Sequence, residues 1–294
     1  MRLIDGEYTI NINGINHWIK IDGGKNKTIP LILLHGGPGG NHYTFERTTG
    51  PLLASRRTVI YYEQRGCGRS EKSRSVDEYT IYHLIEDFRE LKKWIGTEKV
   101  DLLGYSFGGE LALEIAYALK GEINNIVLSA PSLMTSDVQK MVQITGILSV
   151  ANKELYSKLI QIPMETLTIA EAYNKFWNLI DIDTVDSLLF ENRDIAKRNR
   201  KLWEESNLIN TGHMMTALIT YPINPPLINR LNEIQNRSLI LTGIFDRNTG
   251  LSISKIIHRE LSESQWVLFN ESAHFPDLEE TNKFVSFVIN FLDS

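Results

Sequence analysis

The stretch GYSFGG, Gly104 to Gly109, places a serine between glycines directly after the apolar run Val100 to Leu103. It fits the pattern G-x-S-x-G at the point where a predicted strand gives way to a predicted helix, the setting in which this pattern presents a nucleophile. The glycines let the chain turn sharply without a Cβ clash, so the hydroxyl of Ser106 stands at a corner above the sheet. The sequence therefore predicts Ser106 as a nucleophile and the Phe107 N–H as a donor to a developing oxyanion.

Short apolar runs that suit buried strands alternate with helical patterns along most of the chain. A β-hairpin is predicted from Gly6 to Ile21, because Asn13-Gly14 at its centre tolerates the positive φ of a tight turn. An amphipathic helix is predicted from Tyr79 to Ile95. Further strands are predicted at 29–34, 58–62, 100–103, 126–129, 238–242 and 266–269, and a last helix at about 277–292. The alternation predicts an α/β fold with a mostly parallel sheet flanked by helices.

The alternation breaks between Pro131 and about Asn232, where helical patterns dominate. Within this region Thr168 and Glu171 have the spacing of a capping box, which marks the start of a helix. We therefore predict a core of residues 1–131 and 232–294 with an inserted helical cap of residues 132–231.

Composition and charge exclude several classes of protein. The 294 residues carry a formal net charge of −5 without a run of Lys or Arg, which removes the electrostatic case for a nucleic acid or an anionic membrane as partner. The sequence has neither a signal peptide nor a long apolar span, so we expect a cytoplasmic protein. Cys67 is the only cysteine and the seven histidines form no HExxH pair, so we expect no disulfide, no metal and no cofactor. A small molecule or a short peptide is the expected partner.

A serine nucleophile needs a base and an acid that orients this base. Asp246 and His274 each come just after a predicted strand, at the edge where parallel sheets place their ligands. The chain order Ser, Asp, His is also the one that belongs with the G-x-S-x-G corner. Glu271 and Asp277 are alternative acids, but neither ends a strand as Asp246 does.

The segment HGGPGG, His35 to Gly40, directly follows another predicted strand. Its glycines allow backbone N–H groups to approach a substrate closely, and we assign the Gly37 N–H as the second oxyanion donor beside that of Phe107. His35 is expected to support this loop by hydrogen bonding and not to act as the base.

Five motifs together carry a resemblance to a known family: HGGPGG (35–40), EQRGCGRS (63–70), GYSFGG (104–109), GIFD (243–246) and AHF (273–275). They resemble the α/β-hydrolase fold, and specifically its proline iminopeptidase branch. Members of this branch release an N-terminal residue, usually proline, from small peptides through an acyl-enzyme and without a metal. The resemblance implies Ser106, Asp246 and His274 as the catalytic triad, with Gly37 and Phe107 as oxyanion donors.

The resemblance also implies carboxylates in the cap that hold the α-ammonium of the substrate. Before Thr211-Gly212 the chain offers Glu204 and Glu205, although the solvated face of a charged helix is an equally good interpretation of these two residues. Trp177 and Trp203 are candidates for the wall of an apolar pocket, although packing of the cap onto the core is the alternative role for such aromatic residues.

Three functions remain open at this point. A serine aminopeptidase of the proline iminopeptidase type is the first hypothesis. A carboxylesterase or lactonase that acts on a small apolar acyl compound is the second, because the same fold supports both chemistries. A ligand-binding protein built on a hydrolase scaffold is the third, and an intact predicted triad argues against it.

Overall fold

A computed structural model describes residues 3–208 and 212–294 and shows one eight-stranded sheet. The strands are β1 (Gly6–Ile12), β2 (Ile15–Asp22), β3 (Leu31–Leu34), β4 (Val59–Tyr62), β5 (Val100–Tyr105), β6 (Ile123–Ser129), β7 (Arg237–Gly243) and β8 (Ser264–Phe269). Their order in the sheet is β1-β2-β4-β3-β5-β6-β7-β8. The pairs β1–β2 and β2–β4 are antiparallel and all other pairs are parallel, which confirms the predicted fold class.

Twelve α-helices complete the described part of the chain. They are α1 (Gly50–Ala54), α2 (Ile81–Ile95), α3 (Phe107–Ala118), α4 (Asp137–Val150), α5 (Lys153–Leu159), α6 (Ile169–Trp177), α7 (Ile182–Leu189), α8 (Arg193–Ser206), α9 (His213–Thr220), α10 (Gly250–Glu260), α11 (Pro276–Glu279) and α12 (Thr281–Asp293). Helices α2, α3 and α10 pack on one face of the sheet, and α1 and α12 pack on the other. None of the helices in the described residues is long and apolar enough to cross a membrane.

The chain opens with the predicted hairpin. Asn13 and Gly14 have φ of 50° and 80°, which is the left-handed backbone of a two-residue turn. Ile12 pairs with Ile15 across this turn, and the ladder continues to Gly6 opposite Ile21.

Helix α3 begins in close contact with the sheet because two glycines leave room for it. A Cβ at Gly104 would lie 2.1 Å from the Gly108 carbonyl oxygen, and a Cβ at Gly108 would lie 2.0 Å from the Leu34 carbonyl oxygen. Any larger residue would push the start of α3 away from β3 and β5. The turn that carries Ser106 is therefore held rigidly at the carboxyl ends of the central strands.

Every regular element between β6 and β7 in the described residues is helical, and α4 to α7 share a small apolar core of their own. The capping box at Thr168 and Glu171 is present, and the helix that it starts ends at Trp177. The division into a core (1–131 and 232–294) and a cap (132–231) stays a prediction. The predicted last helix is wrong in one respect: Glu280, with φ of −127° and ψ of 51°, separates α11 from α12.

Candidate active site

Ser106 lies at the turn between β5 and α3 in a conformation that is rare for a residue with a side chain. Its φ is 54° and its ψ is −123°, while its N–H donates to the Ser129 carbonyl oxygen at 2.9 Å. Such backbone strain persists only where the surrounding structure imposes it. Here it directs Ser106 into a cavity of about 390 Å³, which Ser106 helps to line.

The HGGPGG loop lies directly against this serine. A Cβ at Gly36 would be 2.9 Å from the Ser106 Cβ, and Gly37 has a φ of 121° that favours glycine. Gly36, Gly37 and Gly40 all line the cavity. Within the described residues, no group accepts a hydrogen bond from the N–H of Gly37 or of Phe107. Both predicted oxyanion donors thus have an N–H that is available to a ligand.

His35 supports this loop from behind. Its Nδ1–H donates to the Gly36 carbonyl oxygen at 3.0 Å, and its Nε2 accepts from the Gln64 N–H at 3.2 Å. Burial lowers the pKa of His35, so the ring is neutral and carries one donor and one acceptor, as these two contacts require. The histidine therefore fixes the loop, as the sequence indicated.

Asp246 and His274 form a buried pair beside the cavity. His274 Nδ1 lies 3.1 Å from Asp246 Oδ2, and the N–H groups of Asn248 and Thr249 donate to Asp246 Oδ1 at 2.8 and 3.0 Å. Burial by itself would raise the pKa of Asp246, but the attraction of His274 and the hydrogen bonds from His274, the Thr249 hydroxyl and the Asn248 N–H outweigh burial and lower it. An ionised Asp246 accepts from Nδ1–H, so the Nε2 atom of His274 is left as the acceptor.

The group bonded to His274 Nε2 is Asn248 and not the serine. Asn248 Nδ2 lies 3.1 Å from His274 Nε2, and no described residue forms a hydrogen bond with Ser106 Oγ. Ser106, Asn248 and His274 all line the same cavity. Asn248 carries almost no signal in the sequence, since only its position two residues after Asp246 points to it.

Asp277 is another carboxylate at this cavity. It is only 5% exposed and lines the cavity, and in the described part of the chain no other residue donates a hydrogen bond to its carboxylate. Burial raises the pKa of Asp277 to about 7, although the nearby His274 acts in the opposite direction. Another carboxylate in the wall, Asp186, is already paired with Arg200. An uncompensated buried carboxyl group is costly unless a ligand brings a cation to it.

The predicted substrate-binding residues divide into two groups. Trp177 and Trp203 line the cavity. Glu204 and Glu205 are exposed on α8 and do not line it, and Glu205 faces Lys201 at 3.8 Å. These glutamates sit on the outer face of the helix that carries Trp203, which is the solvated position that their charge pattern equally allowed. Thr211, the other marker of this region, lies outside the described residues.

Most of the remaining wall of the cavity is apolar: Phe45, Leu189, Phe190, Phe275 and Leu278. Cys67 does not line this cavity and is buried in the EQRGCGRS loop, where burial raises the pKa of its thiol and disfavours the thiolate.

Comparisons with known proteins agree on the fold. A family model described as the alpha/beta hydrolase fold matches residues 29–281. A proline iminopeptidase from Saccharolobus solfataricus is 28% identical over 314 residues, which cover 97% of this chain and 94% of the relative. The resemblance found in the motifs is thereby confirmed over most of the chain.

Two solved structures have the same overall fold as this chain. A proline iminopeptidase-related protein from Thermus thermophilus superimposes with a TM-score of 0.82 at 19% identity, over 99% of this chain and 98% of that one. An esterase from Exiguobacterium antarcticum has a TM-score of 0.69 at 19% identity, over 99% and 100% of the two chains. At such identities the likeness shows the fold alone.

Proposed function

The chain belongs to the α/β-hydrolase fold family, and from this premise we propose that it is a metal-independent serine hydrolase of the proline iminopeptidase type. Its substrate is a short peptide or a related small amide with a free α-amino group, met in the cytoplasm. One observation supports the assignment as a hydrolase. Ser106 and His274 line the same cavity, and His274 is bonded to Asp246. Both Asp246 and His274 lie 140 or more residues after Ser106 in the chain.

The mechanism follows from the geometry of these groups. Ser106 Oγ–H displaces the Asn248 amide from His274 Nε2, and Nε2 takes the proton while Oγ attacks the carbonyl carbon. The N–H groups of Gly37 and Phe107 hold the oxyanion that forms. His274 Nε2–H then protonates the leaving amine, which leaves an acyl group on Oγ. A water molecule, deprotonated by the same Nε2, attacks the acyl carbon; the bond to Oγ then breaks, Nε2–H returns the proton to Oγ, and the N-terminal residue is released.

Asp277 supports an amine-bearing substrate in preference to an ester. The α-ammonium of a peptide lies one carbon from the carbonyl carbon that Ser106 attacks, so it enters the same cavity as the reacting bond. Asp277 is a carboxylate in the wall of that cavity, and it forms an ion pair with no cationic side chain among residues 3–208 and 212–294. Pairing with the ammonium would compensate its burial and would hold the substrate by one end.

The walls also support a second candidate, a carboxylesterase or lactonase. Phe45, Phe190, Phe275 and Leu278 would suit a small apolar acyl group as well as a proline ring. A neutral ester would leave the burial of Asp277 uncompensated, and for this reason the peptidase is preferred.

Steady-state kinetics separate these candidates. Pro-p-nitroanilide, p-nitrophenyl acetate and an acyl lactone are compared with the wild-type protein, and Ser106→Ala serves as the control for background hydrolysis. Turnover of the anilide supports the peptidase, whereas rapid turnover of only the ester or lactone would refute it. Intact-mass analysis after treatment with a fluorophosphonate tests the nucleophile separately, since a ligand-binding protein without a working triad would gain no adduct.

A further inference from the structure

A chain of three hydrogen bonds connects the helices between β6 and β7 with His274, the proposed base. The Trp177 Nε1–H donates to Gln143 Oε1 at 3.3 Å, and the Gln143 Nε2–H donates to Asn248 Oδ1 at 2.7 Å. Asn248 Nδ2 in turn lies 3.1 Å from His274 Nε2. We call Trp177, Gln143 and Asn248 the relay. It connects α6 and α4 with the loop that follows β7.

The donor and the acceptor of every hydrogen bond in this chain are fixed by the two groups at its ends, the Trp177 N–H and the Asp246 carboxylate. The indole N–H of Trp177 can only donate, so Gln143 must turn its oxygen toward α6 and its NH₂ toward Asn248. Asn248 must then accept through Oδ1 and present its own NH₂ to His274. At the other end the Asp246 carboxylate can only accept, so it takes the Nδ1–H of His274. The two amide orientations and the tautomer of the ring therefore agree with each other.

This arrangement favours one protonation state of the base. A neutral His274 with its lone pair on Nε2 accepts from Asn248, while an imidazolium would set Nε2–H against the NH₂ of Asn248. For Asn248 to turn its oxygen to the ring, Gln143 would also have to turn, and the Trp177 N–H would lose its acceptor. The serine hydroxyl is a donor too, so Ser106 can replace Asn248 at Nε2 without a change in the tautomer.

We propose that Gln143 and Asn248 are positioning residues that, anchored by Trp177, hold His274 as the neutral base with Nε2 toward the cavity. The proposal deepens the proposed function, because it takes His274 as the base of that reaction. Its consequence is measurable: the relay disfavours protonation of His274, so the base stays active to lower pH than it would without the relay.

Charged groups also act on His274 and must stay constant in a test. Asp246 faces Nδ1 and Asp277 acts from α11, while further charges lie at the cap side of the cavity and in the loop of Asn248. These further charges are two ion pairs, Asp186–Arg200 and Glu191–Arg247, together with Glu279 of α11, which accepts a hydrogen bond from the Ala273 N–H beside His274. Trp177→Phe leaves every one of these charges in place, because it removes only a neutral N–H and part of a ring.

The test is the pH dependence of phosphonylation of Ser106 by a fluorophosphonate, which needs the nucleophile and the base but no peptide specificity. In Trp177→Phe we expect the midpoint of the acid limb of this pH–rate profile to move up by about 0.7 pH unit. This shift is equivalent to the loss of one ordinary hydrogen bond of about 1 kcal/mol. Trp203→Phe is the matched control, because Trp203 lines the same cavity and its indole N–H has no hydrogen-bond partner among the described residues. An unchanged limb in Trp177→Phe, or an equal shift in both variants, would overturn the relay.

A second variant and a direct readout cover the case in which Trp177→Phe folds poorly. Gln143→Leu interrupts the relay at its middle residue, and we expect it to raise the midpoint of the acid limb by a similar amount. Nitrogen-15 NMR of labelled histidine, with His274 assigned by its loss in His274→Gln, should show an unprotonated Nε2 in the wild type and a raised titration midpoint in either variant. A wild-type protein that takes up no fluorophosphonate would count against the proposed function, while the NMR titration would still decide the relay.

Discussion

Replacement of Asp277 by Asn removes one charge from the wall of the cavity and leaves its shape almost unchanged. If Asp277 holds the substrate's ammonium, the variant loses a charged hydrogen bond of about 1.5–3 kcal/mol. At about 2 kcal/mol this corresponds to a kcat/KM for Pro-p-nitroanilide that is about 30-fold lower at pH 7.5. p-Nitrophenyl acetate, which has no ammonium, should lose less than about threefold by the same reasoning.

The pH dependence of this loss provides a sharper test. Burial raises the pKa of Asp277 to about 7, so the carboxyl group is ionised above that pH and protonated below it. At pH 6 only about one tenth is ionised, and the ratio of wild type to variant should shrink to about fourfold. Groups that both proteins share, such as His274, cancel in the ratio. The assay is therefore kcat/KM for both substrates from pH 5.5 to 8.5.

Glu204→Gln and Glu205→Gln complete this experiment, because they test the glutamates to which the sequence pointed. Both side chains are exposed, so we expect either variant to keep the wild-type preference for the anilide. An amine-selective loss in one of these variants, with Asp277→Asn unaffected, would refute the assignment of the ammonium to Asp277. Equal losses on both substrates in Asp277→Asn would show that this residue acts on the base and not on the substrate.

Three further predictions concern the nucleophile, its loop and the stability of the fold. Ser106→Ala should lower kcat by about 10⁴-fold or more and abolish the fluorophosphonate adduct, and a retained adduct would exclude this serine. Gly36→Ala places a Cβ 2.9 Å from the Ser106 Cβ, so kcat/KM should fall by about tenfold or more. The circular dichroism spectrum should be unchanged. Full activity would show that the loop moves to accommodate the methyl group without harm to the site. Burial raises the pKa of Glu110 from 4.5 to about 7, so its contribution to stability is complete below pH 4.5 and is lost as the pH rises through 7. In urea unfolding, Glu110→Gln should therefore lose less stability between pH 5 and pH 8 than the wild type, by up to about 3 kcal/mol, and parallel losses in both proteins would contradict this.

Patterns that depend on chain neighbours could be predicted with few errors. The hairpin at Asn13-Gly14, the strand that leads to Ser106 and the capping box at Thr168 are all present because turn geometry, alternation and capping are local properties. The break at Glu280 was not predicted, because the apolar spacing that indicates a helix continues across it.

The residues of the candidate site that follow the carboxyl end of a strand could be predicted from the sequence. Ser106, Asp246 and His274 follow β5, β7 and β8, and parallel strands bring their carboxyl ends to one edge of the sheet. Asn248 and Asp277 carry no such signal. One occupies a loop position where asparagine is common, and the other stands in the first turn of a short helix where an acidic residue is equally common.

The sequence by itself determined the fold class, the corner that carries Ser106 and the chain order of the three candidate catalytic residues, because each rests on residue spacing along a few strands and turns. Only the tertiary structure decided which side chains face the cavity. It placed Trp177 and the partly exposed Trp203 in the cavity wall and left Glu204 and Glu205 in solvent, and it brought Asp277 to the wall from another segment. The reason is that a pocket wall is assembled from residues far apart in the chain, and the direction of each side chain is set by how its own segment packs against the others.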